Sequence, residues 1–587
     1  MPEFLQSGNI RDKFGNKENS PNYDPTTLFV PEDYIKKQTP SMQQFWNFKR
    51  ENFDKVLFFK LGKFYELFYD DAIIGNQILE LNWMGNDPKK LHVGFPEKIL
   101  EEKANKLINE GFKVAVIEQM ETPEQLKERN LTSGKKKETC VKRELCNVFT
   151  KGTYYKEEQK NINNNNNKFC ICLVLNDQND LNENNFMSQN LFNNNNNKFF
   201  EWGICIFDVT TLKFYLGKIN EDVLNSECEN FNKLKTILYN LNPDEIILIR
   251  NNLPSNVLNF IKNLSSHPQI NFLKNSYSFN ELNIKCQKYF NDDFEKWDKI
   301  ILNLFSNEKN NHSICLSFYL TLVYLEKILL AKETVPIAKF FSYEGDTTIN
   351  PKKRMILDYQ TIINLEILET KFDPKNKEIG SLIEFLNKCC TPFGKRLMKN
   401  WVLNPLNDVD LINARLNIVD ELIENEELIT KIRMNLLKFP DIERTCNKFF
   451  KISLNNNNKA IYFEDVGKNR LNEFFNLINF LINSENYFEQ IKNFIIDGKL
   501  QCKNLLEKIN EIPNLSQNLF DLKENYHIVE TKDEKGNLIS QIESKPGVYL
   551  EYDNAKKEMN EILLEFDNIL SKEKKKTQMR CYSIQSH

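Results

Sequence analysis

A chain of 587 residues is several times longer than one typical domain, so three to five domains, each able to bury its own core, are expected. The formal net charge of −4 excludes a protein that grips nucleic acid by bulk charge, and any contact with a polyanion must be local. The 13 cysteines include no CxxC pair with matching partners at metal-ligand spacing, which points to reduced, structural thiols. Neither a basic segment leading into an apolar run at the N-terminus nor about eighteen uninterrupted apolar residues occurs anywhere, so a soluble, intracellular chain with no membrane partner is expected.

Residues 1–38 are polar and turn-rich, through Ser20-Pro-Asn-Tyr-Asp-Pro25, and read as an extended leader that wraps onto the neighbouring domain. From Thr39 to Gly152 short apolar runs, Val56-Leu-Phe-Phe59 and Val114-Ala-Val-Ile117, alternate with amphipathic stretches such as Glu101 to Asn109. That pattern predicts a compact α/β domain. A second α/β unit comes next, with strands at Cys170 to Leu175, Gly203 to Asp208, Lys213 to Leu216 and Glu245 to Ile249, and a helix from Cys228 to Leu241. Asparagine tracts at 161–167 and 193–197 interrupt it and read as loop insertions. Beyond about residue 280 the helical period dominates, through Ile314 to Lys332, Ile362 to Glu369, Ile379 to Trp401, Asp408 to Glu424 and Asn469 to Asp497. A third tract, at 455–458, breaks this all-α region, and a last amphipathic helix from Asp553 to Lys576 carries Lys572, Lys574, Lys575 and Lys576 near its end.

One short segment concentrates basic, aromatic and acidic groups. The strand Val56 to Phe59 reaches Gly62, where the chain can bend, and Lys63, Phe64, Tyr65 and Glu66 arrive together. An exposed aromatic beside a duplex can insert between base pairs at a cost of roughly a few kcal/mol per unstacked step, lowest where pairing is already faulty. If the backbone is extended there, Phe64 and Glu66 share a face while Tyr65 turns into the core; a helical turn would separate them. A carboxylate facing DNA either loses affinity or takes up a proton and donates to a base nitrogen. Phe-x-Glu recurs, however, at Phe95-Pro-Glu97, Phe199-Phe-Glu201 and Phe279-Asn-Glu281. The tripeptide alone does not separate a wedge from an ordinary core aromatic.

Other chemistry is thinner. Asp208 at a strand end, with Asp244 or Glu245, would begin a metal-dependent nuclease site, but no third ligand is evident and solvated turn residues are the plainer reading. His92, His267, His312 and His527 are isolated. No stretch matches GxxxxGK[ST], since Gly134-Lys-Lys-Lys137 lacks the leading glycine and the hydroxyl, so no nucleotide-hydrolysing site is expected in this chain. Lys135 to Lys137 with Lys142 and Arg143, and Lys572 to Lys576, would either neutralise phosphates or form solvated surfaces.

The long motifs are more specific. In order and spacing, Tyr23-Asp-Pro-Thr-Thr-Leu-Phe-Val-Pro-Glu-Asp-Tyr34, Thr39-Pro-Ser-Met-Gln-Gln-Phe-Trp46, Leu61-Gly-Lys-Phe-Tyr-Glu-Leu-Phe68, Gly94-Phe-Pro-Glu97 and Gly111-Phe-Lys-Val-Ala-Val-Ile-Glu-Gln-Met-Glu-Thr-Pro-Glu124 resemble the MutS family of mismatch-recognition proteins. Further on, Arg354-Met-Ile-Leu-Asp358, Asn364-Leu-Glu366, Thr391-Pro-Phe-Gly-Lys-Arg-Leu397, Trp401 and Pro405-Leu406 resemble its lever region. The leader motif and Gly94-Phe-Pro-Glu97 look most like the eukaryotic branch that reads mismatches within a heterodimer, although bacterial homodimeric members also carry Phe-x-Glu.

The resemblance implies a mismatch-binding domain over 39–152, an RNase H-like connector over 153–335, a helical core and lever over 336–540, and the start of a DNA-holding clamp over 541–587. By the same resemblance Phe64 matches the stacking wedge, Glu66 the base-contacting acid and Met84 a neighbouring contact, with Lys63 and the terminal lysines as further DNA-binding groups. Arg354, Thr391 and Arg396 match structural positions, and Asp208 becomes a fold residue. Expected partners are double-stranded DNA with mispairs or small loops and a second MutS-family subunit, in the nucleus. ATP and magnesium are implied only for a full-length member carrying the family's ATPase, whose motif is absent here. A scaffold that docks a MutS partner without binding DNA is the alternative.

Overall fold

The computed structural model describes residues 1–85, 91–132, 138–155, 168–176, 198–223, 231–249, 253–274, 277–290, 297–307, 310–343, 354–370, 378–454, 460, 473–484, 487–489, 507, 510–511, 525–532 and 538–577. The three asparagine tracts and Lys135 to Lys137 lie outside them. Two compact units are present, one formed by Met1–Leu416 with Leu436–Glu464 and the other by Asn417–Asn435 with Asp465–His587.

The first unit opens on a five-stranded sheet built from β1 (Lys55–Leu61), β2 (Phe64–Phe68), β3 (His92–Pro96), β4 (Lys113–Gln119) and β5 (Arg143–Phe149) in the order β3-β2-β1-β4-β5. Central β1 and β4 pair in parallel and are covered on both faces, which is why they read as unbroken apolar runs. On one face Val56, Phe58, Tyr65, Leu67 and Phe95 pack with Ala72, Leu79, Ala104 and Leu107 of the helices Asp70–Leu79 and Leu100–Asn109. On the other, Leu57, Phe59, Ala115 and Ile117 meet Phe45 and Trp46 of helix Pro40–Lys49 and Leu5, Leu28, Val30 and Ile35 of the leader. The leader thus supplies apolar side chains that close this core.

A six-stranded sheet comes next in the chain, from β6 (Phe169–Asn176), β7 (Lys198–Asp208), β8 (Lys213–Val223), β9 (Glu245–Ile249), β10 (Gln269–Leu273) and β11 (Lys339–Tyr343), ordered β10-β9-β6-β7-β8-β11. Helix His312–Lys327, buried along most of its length, crosses one face. The approach is so close that a Cβ on Gly203 would lie 2.1 Å from the Ser313 carbonyl oxygen. Helices Asn232–Leu241 and Ser255–Lys262 cover the other face. Among the described residues no single helix is long and apolar enough to cross a membrane.

Helices dominate the rest, several of them in shorter runs than periodicity suggests. The stretch expected from Ile314 to Lys332 breaks at Leu329, whose φ is 62°, and resumes over Ala331–Thr334. That from Ile362 to Glu369 is Tyr359–Asn364, capped by the Asp358 side chain. The span Ile379 to Trp401 divides into Leu382–Leu386 and Pro392–Leu403. At the division Thr391 Oγ1 accepts the Gly394 N–H at 3.1 Å, and Pro392 occupies the first turn, where its missing N–H costs nothing. Arg396 is tied to Asp441 and Glu443 (Nη2 at 2.9 and 3.0 Å), and Arg354 bridges Leu406. In the second unit a hairpin, β12 (Tyr526–Lys532) with β13 (Leu538–Ser544), precedes the final helix Leu550–Thr577.

Candidate nucleic-acid interface

Phe64, Tyr65 and Glu66 form the start of β2. Gly62 takes φ = 59° at the first central position of a two-residue loop closing the Leu61–Phe64 pair, a conformation a side chain would strain. The backbone of β2 is extended, with Phe64 opposite Pro96 and Glu66 opposite Gly94 on β3. Phe64 and Glu66 therefore lie on one face, the one that the leader and helix Pro40–Lys49 cover farther along the sheet. Beyond that cover Phe64 is 45% exposed, whereas Tyr65 is fully buried. Phe95, which heads another Phe-x-Glu, is 1% exposed, and Phe279 packs on Phe305. Exposure, rather than the tripeptide, distinguishes Phe64 from Phe95.

Met84 joins the same face. Its N–H donates to the His92 carbonyl at 2.9 Å, and a Cβ on Gly94 would sit 3.0 Å from Met84 Sδ and 3.3 Å from Glu66 Cγ. Met84 and Glu66 thus both lie over Gly94, where any side chain would crowd them. Lys63 is exposed, and its carbonyl accepts the Glu97 N–H at 2.9 Å. Lys572, Lys574, Lys575 and Lys576 fall within the final helix, with side chains outside the described residues.

Beneath the hairpin lies a cluster that sequence reasoning missed. Buried Lys60 places its ammonium 2.9 Å from Glu97 Oε2 and 3.9 Å from Glu118 Oε2, and 4.4 Å from the centroid of the Tyr65 ring. The Tyr65 hydroxyl donates to Glu118 Oε1. Charged residues are rarely buried, so pattern reading assigns them to the surface; for Lys60 and Glu118 the signal was their position within the largely apolar strands β1 and β4. Arg143, grouped by sequence with the phosphate-neutralising residues, is 8% exposed. Its guanidinium is consumed inside the domain, with Nε donating to the Lys60 carbonyl at 2.8 Å and its plane 4.8 Å from the Phe59 ring. Lys142 remains at the surface.

The other candidates are occupied with folding. Asp208 accepts from the Thr210 N–H (2.9 Å), the Thr210 hydroxyl (2.6 Å) and the Thr211 N–H (3.3 Å), the pattern of a turn residue. Asp244 pairs with Lys168 at 3.0 Å. Glu245 is buried among Thr150, Asn271 and Tyr324, which all donate to it, and burial raises its carboxyl above the ordinary range. Among the described residues no three metal-ligating groups converge. Burial also pushes the Cys146 and Cys205 thiols up to about 12, which makes them unreactive.

Comparison with known proteins finds three family matches along the chain. Residues 39–158 match the family profile described as MutS domain I, 197–337 that of MutS domain II and 360–581 that of MutS domain III. The chain is 30% identical over 503 residues to DNA mismatch repair protein Msh6 of Gallus gallus, covering 79% of this chain and 36% of that protein. It is 30% identical over 553 residues to DNA mismatch repair protein MSH6 of Arabidopsis thaliana, covering 89% and 40% respectively. To DNA mismatch repair protein MutS of Caldanaerobacter subterraneus subsp. tengcongensis it is 28% identical over 415 residues, covering 70% and 41%. The matched regions thus amount to less than half the length of each of these relatives.

Proposed function

Because the chain belongs to the MutS family and is MSH6-like, we propose that it recognises mispaired bases and small loops in double-stranded DNA during mismatch repair. Phe64 acts as the wedge and Glu66 as the acid that tests the adjacent base. The observation that carries this reading is the exposure of Phe64 at a hairpin tip, sharing a face with Glu66 and Met84, while the intervening Tyr65 is buried. An aromatic left about half exposed forgoes roughly half of the ~1.5–3 kcal/mol that full burial supplies, a cost offset when it stacks between bases. Since unstacking costs least at a mispair, the same ring that binds also discriminates. Glu66 in its protonated form would donate to a base nitrogen, Met84 would cover the contact on its apolar side, and Lys63 would approach a phosphate.

Lys572, Lys574, Lys575 and Lys576 are assigned to phosphate contacts that carry no sequence information. The role proposed for this chain is binding, without a catalytic step. ATP and magnesium, implied for full-length family members, are assigned no residue here. A second MutS-family subunit is the proposed protein partner, and the nucleus the proposed compartment.

The test compares binding to a G·T duplex and to its matched control for the wild type and Phe64→Ala, with the partner subunit present. We expect the wild type to prefer the mispair and the variant to lose most of that preference. Equal binding of both duplexes by the wild type would sink the proposal.

A further inference from the structure

We propose that the buried cluster of Lys60, Tyr65, Glu97 and Glu118 is a positioning unit that holds the Phe64 hairpin rigid and thereby sets how sharply mispaired DNA is distinguished from paired DNA. The inference rests on the wedge reading of Phe64. Its starting point is where the four residues sit. Lys60 is on β1, directly opposite Tyr65 in the strand register; Glu118 is on β4; Glu97 comes directly after β3 and also donates its N–H to the Lys63 carbonyl in the hairpin loop. The cluster therefore ties three strands and the end of a fourth together directly under the tip. Arg143 adds a clamp on the Lys60 carbonyl from β5.

Stability is a poor explanation for such an arrangement. Removing an ammonium and two carboxylates from water costs several kcal/mol per ion, and well-packed apolar residues often do as well or better. What directed charges supply is a single geometry, because each alternative leaves a buried charge badly solvated. A wedge needs that property. Discrimination depends on the tip refusing to retreat when it meets a well-stacked step, and a site loosened by about an ångström performs poorly even when every contacting residue is present. Tyr65 transmits the constraint: it lies between Phe64 and Glu66, its hydroxyl is held by Glu118, and its ring lies against the Lys60 ammonium. None of the four need touch DNA, so they are positioning residues.

The experiment uses the full chain with its MutS-family partner and measures affinity for G·T and matched duplexes, with thermal melting alongside. Tyr65→Phe removes one hydroxyl and keeps the ring; Glu97→Gln keeps the shape and removes one charge; Phe64→Ala reports on the wedge itself. The expected result is that Phe64→Ala abolishes the preference. Tyr65→Phe, which loses a hydrogen bond to a charged group, and Glu97→Gln, which leaves the Lys60 ammonium without its nearest counter-charge, should each lower the G·T-to-matched ratio by roughly tenfold, with matched-duplex affinity held within about twofold. A purely structural role would lower the melting temperature and both affinities together, which overturns the proposal. A wild-type ratio in both cluster variants, with the preference lost in Phe64→Ala, overturns it while leaving the wedge intact. Retention of the preference in Phe64→Ala removes the wedge reading and this inference with it. Should Tyr65→Phe fail to fold, Glu97→Gln decides by the same criteria.

Discussion

At the scale of single residues, the proposed interface depends as much on an absent side chain as on those present. Gly94 stands opposite Glu66 on β3, and a Cβ there would approach Met84 Sδ, Glu66 Cγ and, at 3.2 Å, the Tyr65 carbonyl oxygen. The methionine end can move aside, but the backbone oxygen cannot. Gly94→Ala should therefore displace Glu66 and Met84 and lower G·T affinity about tenfold while costing about 1–2 kcal/mol in stability. Titration of mispaired and matched duplexes together with denaturant unfolding checks this; unchanged G·T affinity in a folded variant would count against the assigned role of this face. Phe64 and Glu66 were singled out by the long motifs around them, since the tripeptide recurs elsewhere; that they share one face while Tyr65 is buried followed from an extended backbone. The placing of Met84 and Glu66 over Gly94 was not legible, because it depends on strand register, which a one-residue slip would reverse.

At the scale of elements, strands buried on both faces were read most directly. β1, β4 and β9 each contain an unbroken apolar run, Val56 to Phe59, Val114 to Ile117 and Ile246 to Ile249, and Glu245–Ile249 has the bounds expected. β5, by contrast, carries Arg143, Glu144 and Asn147, and β11 is only five residues, Lys339–Tyr343, inside a stretch that looks helical. Both are strands because of distant partners, β4 for one and β8 for the other. Two helices were drawn too long, because apolar periodicity continues through a left-handed residue such as Leu329 and through a new cap at Thr391-Pro392, whereas Asp408 to Glu424 and Asp553 to Lys576 are Val409–Glu424 and Leu550–Thr577. The hairpin that presents Phe64 was foreseeable from Gly62, whereas the charges packed beneath it were not.

At the scale of the whole molecule, a buried carboxylate joins the first sheet to the second. Glu245 on β9 accepts from Thr150, just beyond β5, and a Cβ on neighbouring Gly152 would sit 2.6 Å from Glu245 Cβ. Glu245→Leu strands the Thr150, Asn271 and Tyr324 donors and should destabilise this unit by about 3 kcal/mol, whereas Glu245→Gln keeps an acceptor and should cost much less. Burial holds the Glu245 carboxyl above its ordinary value of 4.5, so between those two values the folded state binds more protons than the unfolded one. Its contribution is fully present below the ordinary value and is lost as pH rises through the folded one. Denaturant midpoints from pH 4 upward should show that slope in the wild type and lack it in Glu245→Gln. This junction orders the scaffold, but the function turns on whether Phe64 enters the base stack. A duplex carrying 2-aminopurine beside a G·T mispair reports that event directly, since its fluorescence rises when the base is unstacked. Binding of the wild type with its partner subunit should raise the signal on the mispaired duplex, and binding of Phe64→Ala at saturation should not. An equal rise with both proteins would contradict the wedge role of Phe64.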